Sequence, residues 1–233
     1  MHKWGCAILM AVVACVGTPA AWANEGDVAF SDACGDNHAY VAHNDTYQEA
    51  PATPASPRFD LKGVKVASVP GGVAVSLTTC EAPGASDGLD GWRGLYPFIS
   101  DACQLAIVAA EPAVPGQPRT ARFIDTCWDG PEKSPIAPIG SDHSYTVFDV
   151  ALPADAITVS GDTLTITVLR AGLTGAAAAA LAPGTVWHYP LGYAAETYWI
   201  EGGGGDSNGN ADAFASPGLD WAYSSGDHPF VVN

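Results

Sequence analysis

Short β-prone runs separated by glycine, proline and aspartate constrain the fold of this chain more than any other feature. Apolar and polar residues alternate over 59–67 and again over 73–80, and Pro70-Gly71-Gly72 lies between the two runs. Alternation with a period of two is typical of strands with one buried face, and a short turn between two such runs indicates a hairpin. Similar runs recur between 104 and 169. We therefore predict an all-β fold, an antiparallel two-sheet β-sandwich of jelly-roll or immunoglobulin-like type.

One segment of the chain departs from this β pattern. Alanine fills every position of Ala176–Ala180, within an apolar stretch over 173–181, and Gly172 and Gly184 lie near its limits. Alanine has the highest intrinsic helix propensity, and glycine often ends helices. The sequence therefore predicts one short Ala-rich helix within the sandwich.

Residues 1–23 have the composition of an export signal. A weakly basic start precedes an apolar run, and Ala21-Trp22-Ala23 places small residues at the positions that a signal peptidase requires. The run is too short to span a membrane, and no later segment reaches spanning length, so we expect a secreted protein without a transmembrane segment. Lipid anchoring at Cys15 is the alternative, because 12–15 resembles a lipobox.

The chain beyond the leader has the size of one domain. Removal of 23 residues from 233 leaves 233 − 23 = 210, which is cramped for two independent domains. We expect 24–58 to be an N-terminal loop-rich segment of that domain, because three prolines over 48–57 disfavour both helix and ladder. Residues 59–233 are then the β-sandwich body.

The charge of the chain is strongly negative. It has 9 Lys and Arg against 25 Asp and Glu, for a net charge of −16, and loss of Lys3 with the leader gives 8 − 25 = −17. A net anion has no basic surface with which to displace counterions from phosphates. We therefore expect no nucleic-acid partner, and an anionic membrane surface is disfavoured for the same reason.

Four cysteines remain after the leader, and an even count in an exported chain indicates two disulfides. Three connectivities are open. A hairpin of 104–111 with 120–126 would place Cys103 and Cys127 at matching distances outside its strands, where they can oppose each other. That hairpin favours Cys103–Cys127 and leaves Cys34 with Cys80. Zinc binding is the competing interpretation, but no C-x-x-C spacing supports it.

A calcium site is predicted near the C-terminus. Asp206, Asn208, Asn210 and Asp212 are spaced as the first, third, fifth and seventh ligands of a calcium loop, and Ca²⁺ prefers several oxygen ligands at close range. The loop lacks the usual glycine at its sixth position and the carboxylate at its twelfth. A polar loop without a bound ion is the alternative.

Exposed aromatic rings are the usual signal of carbohydrate binding, because the C–H groups of a sugar face stack on them. Trp187 and Tyr189 are two residues apart, so on a strand both rings project from one face. We predict them as ligand-binding residues. The competing interpretation is that these aromatics fill the core, which is the commoner role of large rings in a sandwich.

Several short segments, in order along the chain, resemble a signature of secreted bacterial β-sandwich domains. The signature opens with Asp-x-x-Gly-Asp, continues with a Phe-Asp-Leu strand, a Gly-Asp-Thr-Leu-Thr strand and an Ala-Leu-x-Gly-like segment, and ends with Asp-x-Ala and a short closing strand. The corresponding segments here are Asp32–Asp36, Phe59–Leu61, Gly161–Thr165, Ala171–Gly175, Asp220–Ala222 and Phe230–Val232. Such domains are similar to family-9 carbohydrate-binding modules. The chain departs from the usual form in having Cys34 where proline is common and a long insert over 37–57.

The resemblance implies a ligand class and a second cation site. Domains of this type suggest a polysaccharide or a cell-surface glycan as the partner. The opening signature often lies at a cation site in related domains, which makes Asp32 and Asp36 candidate ligands. An Asx-turn, which satisfies the backbone without metal, is the alternative for the same residues.

The sequence thus favours a secreted or surface-held, non-catalytic binding module that takes carbohydrate and is stabilised by Ca²⁺. One alternative is an extracellular hydrolase with acidic catalytic residues, since the 25 acids offer many pairs but nothing selects one. Another is a structural or adhesive envelope protein that binds another protein.

The calcium loop makes a direct prediction for thermal stability. A ligand that binds only the folded state raises the melting temperature, so Ca²⁺ should shift the melt of the wild-type protein upward by several degrees relative to a chelator. Asp206→Ala should abolish this shift. Identical melts with chelator and with Ca²⁺ would contradict the site.

Overall fold

The computed structural model describes most of the chain beyond the leader, with gaps. The described residues are 27–31, 34, 38–43, 46–49, 58, 60–82, 90–112, 116–128, 144–190, 192–199, 214–222 and 229–233. The leader 1–23 and the predicted calcium ligands lie outside these ranges.

Within the described residues the chain forms sixteen strands, one short α-helix and one 3-10 turn. In chain order the strands are β1 (Val28–Ser31), β2 (His38–His43), β3 (Thr46–Glu49), β4 (Leu61–Val69), β5 (Gly72–Thr79), β6 (Asp90–Leu95), β7 (Phe98–Ser100), β8 (Cys103–Glu111), β9 (Thr120–Trp128), β10 (Ser144–Ala151), β11 (Ile157–Ser160), β12 (Thr163–Leu169), β13 (Val186–Trp187), β14 (Gly192–Trp199), β15 (Phe214–Ala222) and β16 (Phe230–Val231). The helix α1 spans Gly175–Ala180, and the 3-10 turn spans Ala154–Ala156.

These strands form two large antiparallel sheets and one small one. The first sheet has five strands in the order β1-β4-β5-β12-β11, and the second has nine, in the order β10-β9-β8-β6-β14-β15-β2-β3 with β7 paired to β8. β13 and β16 form a separate two-stranded sheet. The segment 24–58, predicted to be loop-rich, contributes β1 to the first sheet and β2 and β3 to an edge of the second.

The hairpin of β4 and β5 shows how local sequence sets the register. Pro70 and Gly71 connect the strands, so that Val69 opposes Gly72. Gly71 has a φ of 76°, which glycine adopts without a steric penalty and which the third position of a type II turn requires. Because the register is fixed there, the alternating valines and leucines of both strands face the same side.

A single apolar layer lies between the two large sheets. β4 contacts β14 and β15, β5 contacts β6, and β12 contacts β8. The buried cluster takes its members from both sheets: Leu61, Val64, Val66, Val73, Val75, Leu77, Leu164, Ile166 and Val168 from the first, and Leu95, Leu105, Ile107, Ala109, Ala121, Phe123 and Ala194 from the second. This arrangement confirms the predicted all-β, antiparallel two-sheet fold with its short Ala-rich helix.

The two sheets approach each other closely at Gly192 of β14. A Cβ built on this glycine would overlap the Cγ2 methyl of Val64 in β4 and would contact Leu61. Any larger residue at this position would force the sheets apart, since protein interiors are close-packed. Glycine at position 192 therefore allows the two large sheets to lie this close together.

The C-terminal end of the chain closes one end of the sandwich. β16 pairs with β13, so that Phe230 opposes Trp187. The backbone N–H of Val232 donates to Thr185 O at 3.0 Å, and that of Gly184 donates to Val232 O at 2.7 Å. Among the described residues, none of the helices is long and apolar enough to pass through a membrane.

Candidate functional site

Trp187 anchors the segment that contains the two aromatic residues predicted to bind ligand. Its side chain is 0% exposed. The indole ring packs on Phe230 with centroids 5.3 Å apart, and its Nε1–H donates to Ala180 O at 3.1 Å. Burial of this ring together with its polar atom makes Trp187 part of the core, and no face of the ring is open to a sugar.

His188 and Tyr189 continue from this anchor to the surface. The backbone of His188 exchanges two hydrogen bonds with Phe98: His188 N–H donates to Phe98 O at 2.7 Å, and Phe98 N–H donates to His188 O at 2.8 Å. This bridge fixes the chain one residue before Tyr189. Tyr189 is 59% exposed.

The backbone at Tyr189 is in an unfavourable conformation. Its φ is 44°, a positive value that no other non-glycine residue shares among those the structure describes. A bulky residue in the left-handed region costs roughly 1–3 kcal/mol and is found mostly where the surroundings hold it for a functional reason. The strained backbone directs the chain away from the extended path of β13. Tyr189 and Trp187 therefore do not share an exposed face, and of the pair only Tyr189 is exposed to solvent.

The two predicted disulfides are confirmed. Cys103 of β8 and Cys127 of β9 are directly opposed in the ladder and are bonded, with their Cα atoms 4.0 Å apart. Cys34 is bonded to Cys80, with their Cα atoms 5.8 Å apart. The second bond ties the N-terminal segment to the end of β5. Two disulfides are typical of proteins from oxidising, extracytoplasmic compartments.

The predicted calcium ligands Asp206, Asn208, Asn210 and Asp212 lie outside the described residues, as do Asp32 and Asp36. Within the described part, two groups of side chains have the composition of a metal site: Cys34, Asp60 and Cys80, and Cys103, Asp125 and Cys127. Both pairs of cysteines are oxidised, and a disulfide supplies no thiolate ligand. These groups are therefore disulfides with an adjacent carboxylate.

Asp60 lies against the first disulfide. It is 2% exposed, its Oδ1 is 3.3 Å from the Sγ of Cys80, and its carbonyl oxygen accepts a 2.9 Å hydrogen bond from the backbone N–H of Cys80. Arg93, which is fully buried, donates from its guanidinium to Arg58 O at 2.5 Å. Polar side chains thus penetrate the interior near the start of β4.

Asp125 lies against the second disulfide and faces the apolar layer. In β9 the positions that face the apolar layer are 121, 123, 125 and 127, because Ala121 and Phe123 belong to the buried cluster between the sheets and the other two share their parity. Asp125 opposes Leu105 and is 4% exposed. Among the described residues its Oδ1 has no hydrogen-bond partner. Burial disfavours the charged form and raises the pKa of Asp125 from 3.8 to about 6.

Sequence reasoning missed Asp60 and Asp125. For Asp125 a signal was present: once 120–126 is a strand and Cys127 forms an internal disulfide, Asp125 has the same parity as Cys127 and must share its face. An aspartate at a core-facing position of a strand is uncommon without a partner.

No family model, no curated protein and no solved structure matches the chain. The relationship to family-9 carbohydrate-binding modules therefore stays a prediction. Of the segments that carry it, Asp32–Asp36 falls mostly outside the described residues, and the described parts of the others lie at the start of β4, at the turn into β12, before and at the start of α1, at the end of β15 and at β16.

The buried carboxyl of Asp125 should make stability depend on pH. Its pKa is higher in the folded protein than in the unfolded chain, so the folded state binds this proton more tightly. The corresponding stabilisation is present below about pH 4 and is lost as the pH rises through about 6. Asp125→Asn, which carries no charge to bury, should raise the free energy of unfolding by roughly 1–2 kcal/mol at pH 7.5 and change it little at pH 4.

Denaturant titrations at the two pH values measure this difference. Asp155→Asn is the matched control, because Asp155 is an exposed aspartate in the 3-10 turn and its loss should leave both values within about 0.5 kcal/mol of wild type. Destabilisation by Asp125→Asn at pH 7.5 would mean that Asp125 has a favourable partner when ionised.

Proposed function

We propose that the protein is a secreted, non-catalytic binding module that takes carbohydrate, with Tyr189 as the ring on which a sugar stacks. The observation that carries the proposal is the combination of exposure and strain at Tyr189. Tyr189 is 59% exposed, its backbone has a φ of 44°, and two hydrogen bonds hold the backbone of the residue before it. An aromatic ring that is held rigidly in solvent loses little conformational entropy when a ligand covers it.

The rest of the molecule supports a binding role for this end of the sandwich. Trp187 and Phe230 pack against each other in the interior at this end. The segment that carries Tyr189 is therefore attached to packed core side chains. The net charge of −16 disfavours nucleic acids and anionic surfaces as partners. A neutral polysaccharide carries no phosphate or carboxylate for that charge to repel. Ca²⁺ bound at 206–212, if the predicted loop holds it, would offset part of the charge.

Glycan binding tests the proposal. We expect the wild-type protein to bind at least one neutral glycan or polysaccharide in an array and to show no turnover on ester, peptide and glycoside substrates. Tyr189→Ala should weaken that binding roughly tenfold or more, which corresponds to about 1.4 kcal/mol. Tyr189→Trp should retain it.

Two further variants separate recognition from stability. Tyr145→Ala removes a tyrosine of similar exposure, 54%, from the edge strand β10, and should leave binding unchanged. Tyr189→Gly fits a φ of 44° without strain, so it should keep the melting temperature and still lose the glycan. Equal glycan affinity of the wild-type protein and Tyr189→Ala would refute the proposal that a sugar stacks on Tyr189. Turnover abolished by a single Asp or Glu substitution would favour a hydrolase, and cell adhesion without glycan binding would favour an envelope adhesin.

A further inference from the structure

The two cysteines of the Cys103–Cys127 disulfide differ in exposure. Cys127 is 3% exposed, whereas Cys103 is only half-buried and follows the surface turn at 101–102. Thiol–disulfide exchange begins with the attack of a thiolate on one sulfur, and the other sulfur leaves. Because Cys103 is the more exposed of the two residues, we infer that an incoming thiolate attacks its Sγ, with the sulfur of Cys127 as the leaving group.

Asp125 lies beside this leaving group. Its carboxylate oxygen and the two sulfurs lie within 4.8 Å of one another. Its Oδ1 is buried and has no donor among the described residues, which costs free energy. A disulfide sulfur carries no proton, whereas the thiol that forms on reduction is a donor. Reduction therefore creates a donor within 4.8 Å of the carboxylate, whose Oδ1 has none in the oxidised protein.

We propose that Cys103, Cys127 and Asp125 form a thiol–disulfide exchange site that takes a dithiol as its substrate, with Asp125 as the proton donor to the sulfur of Cys127. This activity is independent of glycan binding at Tyr189. The site occupies the end of the β8–β9 ladder, where a cross-link can open without separating the rest of the two strands.

The exchange balances without a further reagent. The first thiolate of the dithiol attacks Sγ of Cys103, the bond to Cys127 breaks, and a mixed disulfide forms on Cys103. The electron pair of the broken bond goes to the sulfur of Cys127, which takes the proton of the Asp125 carboxyl. The second thiolate of the dithiol then displaces Cys103, whose thiolate is protonated by water, while Asp125 regains its proton from solvent. The protein gains two electrons and two protons, and the dithiol becomes a disulfide.

The protonation of Asp125 suits this role. Burial raises its pKa to about 6, with desolvation as the cause, so a fraction of the carboxyl is protonated near neutral pH. Helix α1, which contacts β9, has no titratable side chain. Among the described residues, the charged and titratable groups near this part of β9 are exposed and do not lie in the apolar layer: Asp101, Arg122, Tyr145, Asp149 and Asp155. Arg122 and Asp149 are paired with each other across β9 and β10.

The other disulfide is an internal comparison. Asp60 also lies close to a sulfur, 3.3 Å from that of Cys80, but Asp60 has at least one further interaction, and neither of its carboxylate oxygens is among the buried atoms without a partner. It therefore does not depend on reduction of Cys34–Cys80 for a partner. We expect that bond to be structural and Cys103–Cys127 to be the exchangeable one.

Reduction kinetics with dithiothreitol as the probe dithiol test the proposal on the full-length protein. Rapid alkylation followed by peptide mass spectrometry reads the two disulfides separately between pH 5 and pH 8, and each rate is divided by the thiolate concentration of the probe. For Cys103–Cys127 the normalised rate should fall as the pH rises through about 6, because the protonated donor is lost. For Cys34–Cys80 the normalised rate should not change with pH.

Asp125→Asn should lower the normalised rate for Cys103–Cys127 at least tenfold at pH 5.5 and flatten its pH profile, with the rate for Cys34–Cys80 unchanged. Asp101→Asn removes the carboxylate two residues before Cys103. This variant should keep the wild-type pH dependence of the normalised reduction rate for Cys103–Cys127. If Asp125→Asn fails to fold, the pH profiles of the reduction rates of the two disulfides in the wild-type protein still test the proposal, because only the rate for Cys103–Cys127 should depend on pH. A flat wild-type profile for Cys103–Cys127, or its reduction only at the rate of global unfolding, would overturn the proposal.

Discussion

The apolar layer between the two sheets determines the positions of both candidate sites. Side chains from β4, β5 and β12 meet those from β6, β8, β9 and β14 there, and burial of this surface is the main favourable term in folding such a domain. Trp187 extends the layer to one end of the sandwich, so that the strained backbone of Tyr189 follows directly from a packed core residue. That packing and the hydrogen bonds between Phe98 and His188 together hold the chain next to Tyr189, whose φ is 44°.

The same layer explains the behaviour of the polar groups inside it. A carboxylate in water has many hydrogen-bond partners, but Asp125 faces Leu105 and the Cys103–Cys127 bond. Desolvation therefore raises its pKa, and the neutral acid becomes available as a proton donor. The cross-link fixes the end of the β8–β9 ladder and at the same time deprives Asp125 of a thiol donor. The oxidation state of the sulfurs and the protonation state of the carboxyl are thus coupled.

Much of this arrangement follows from the sequence by strand parity and turn chemistry. Alternation predicted β4, β5 and β12, Pro70-Gly71 predicted the first hairpin, and the symmetry of Cys103 and Cys127 about the second hairpin predicted its disulfide. The sequence could not predict that Trp187 is buried and Tyr189 exposed, because β13 ends at Trp187 and the two-residue period ends with it. That outcome depends on β16, which is distant in sequence, and on the bridge between Phe98 and His188. Local patterns carry no information on such contacts.

We infer that the sandwich core holds the backbone beneath Tyr189 rigid, and native-state hydrogen exchange measures that rigidity residue by residue. The amides of Phe98, His188 and Val232 form the hydrogen bonds that fix this part of the backbone. We expect their protection to lie within about tenfold of that of the β8 and β9 amides, since a segment that opens only with the core exchanges at the rate of the core. Exchange at the rate of an open surface loop, while β8 and β9 stay protected, would contradict the account.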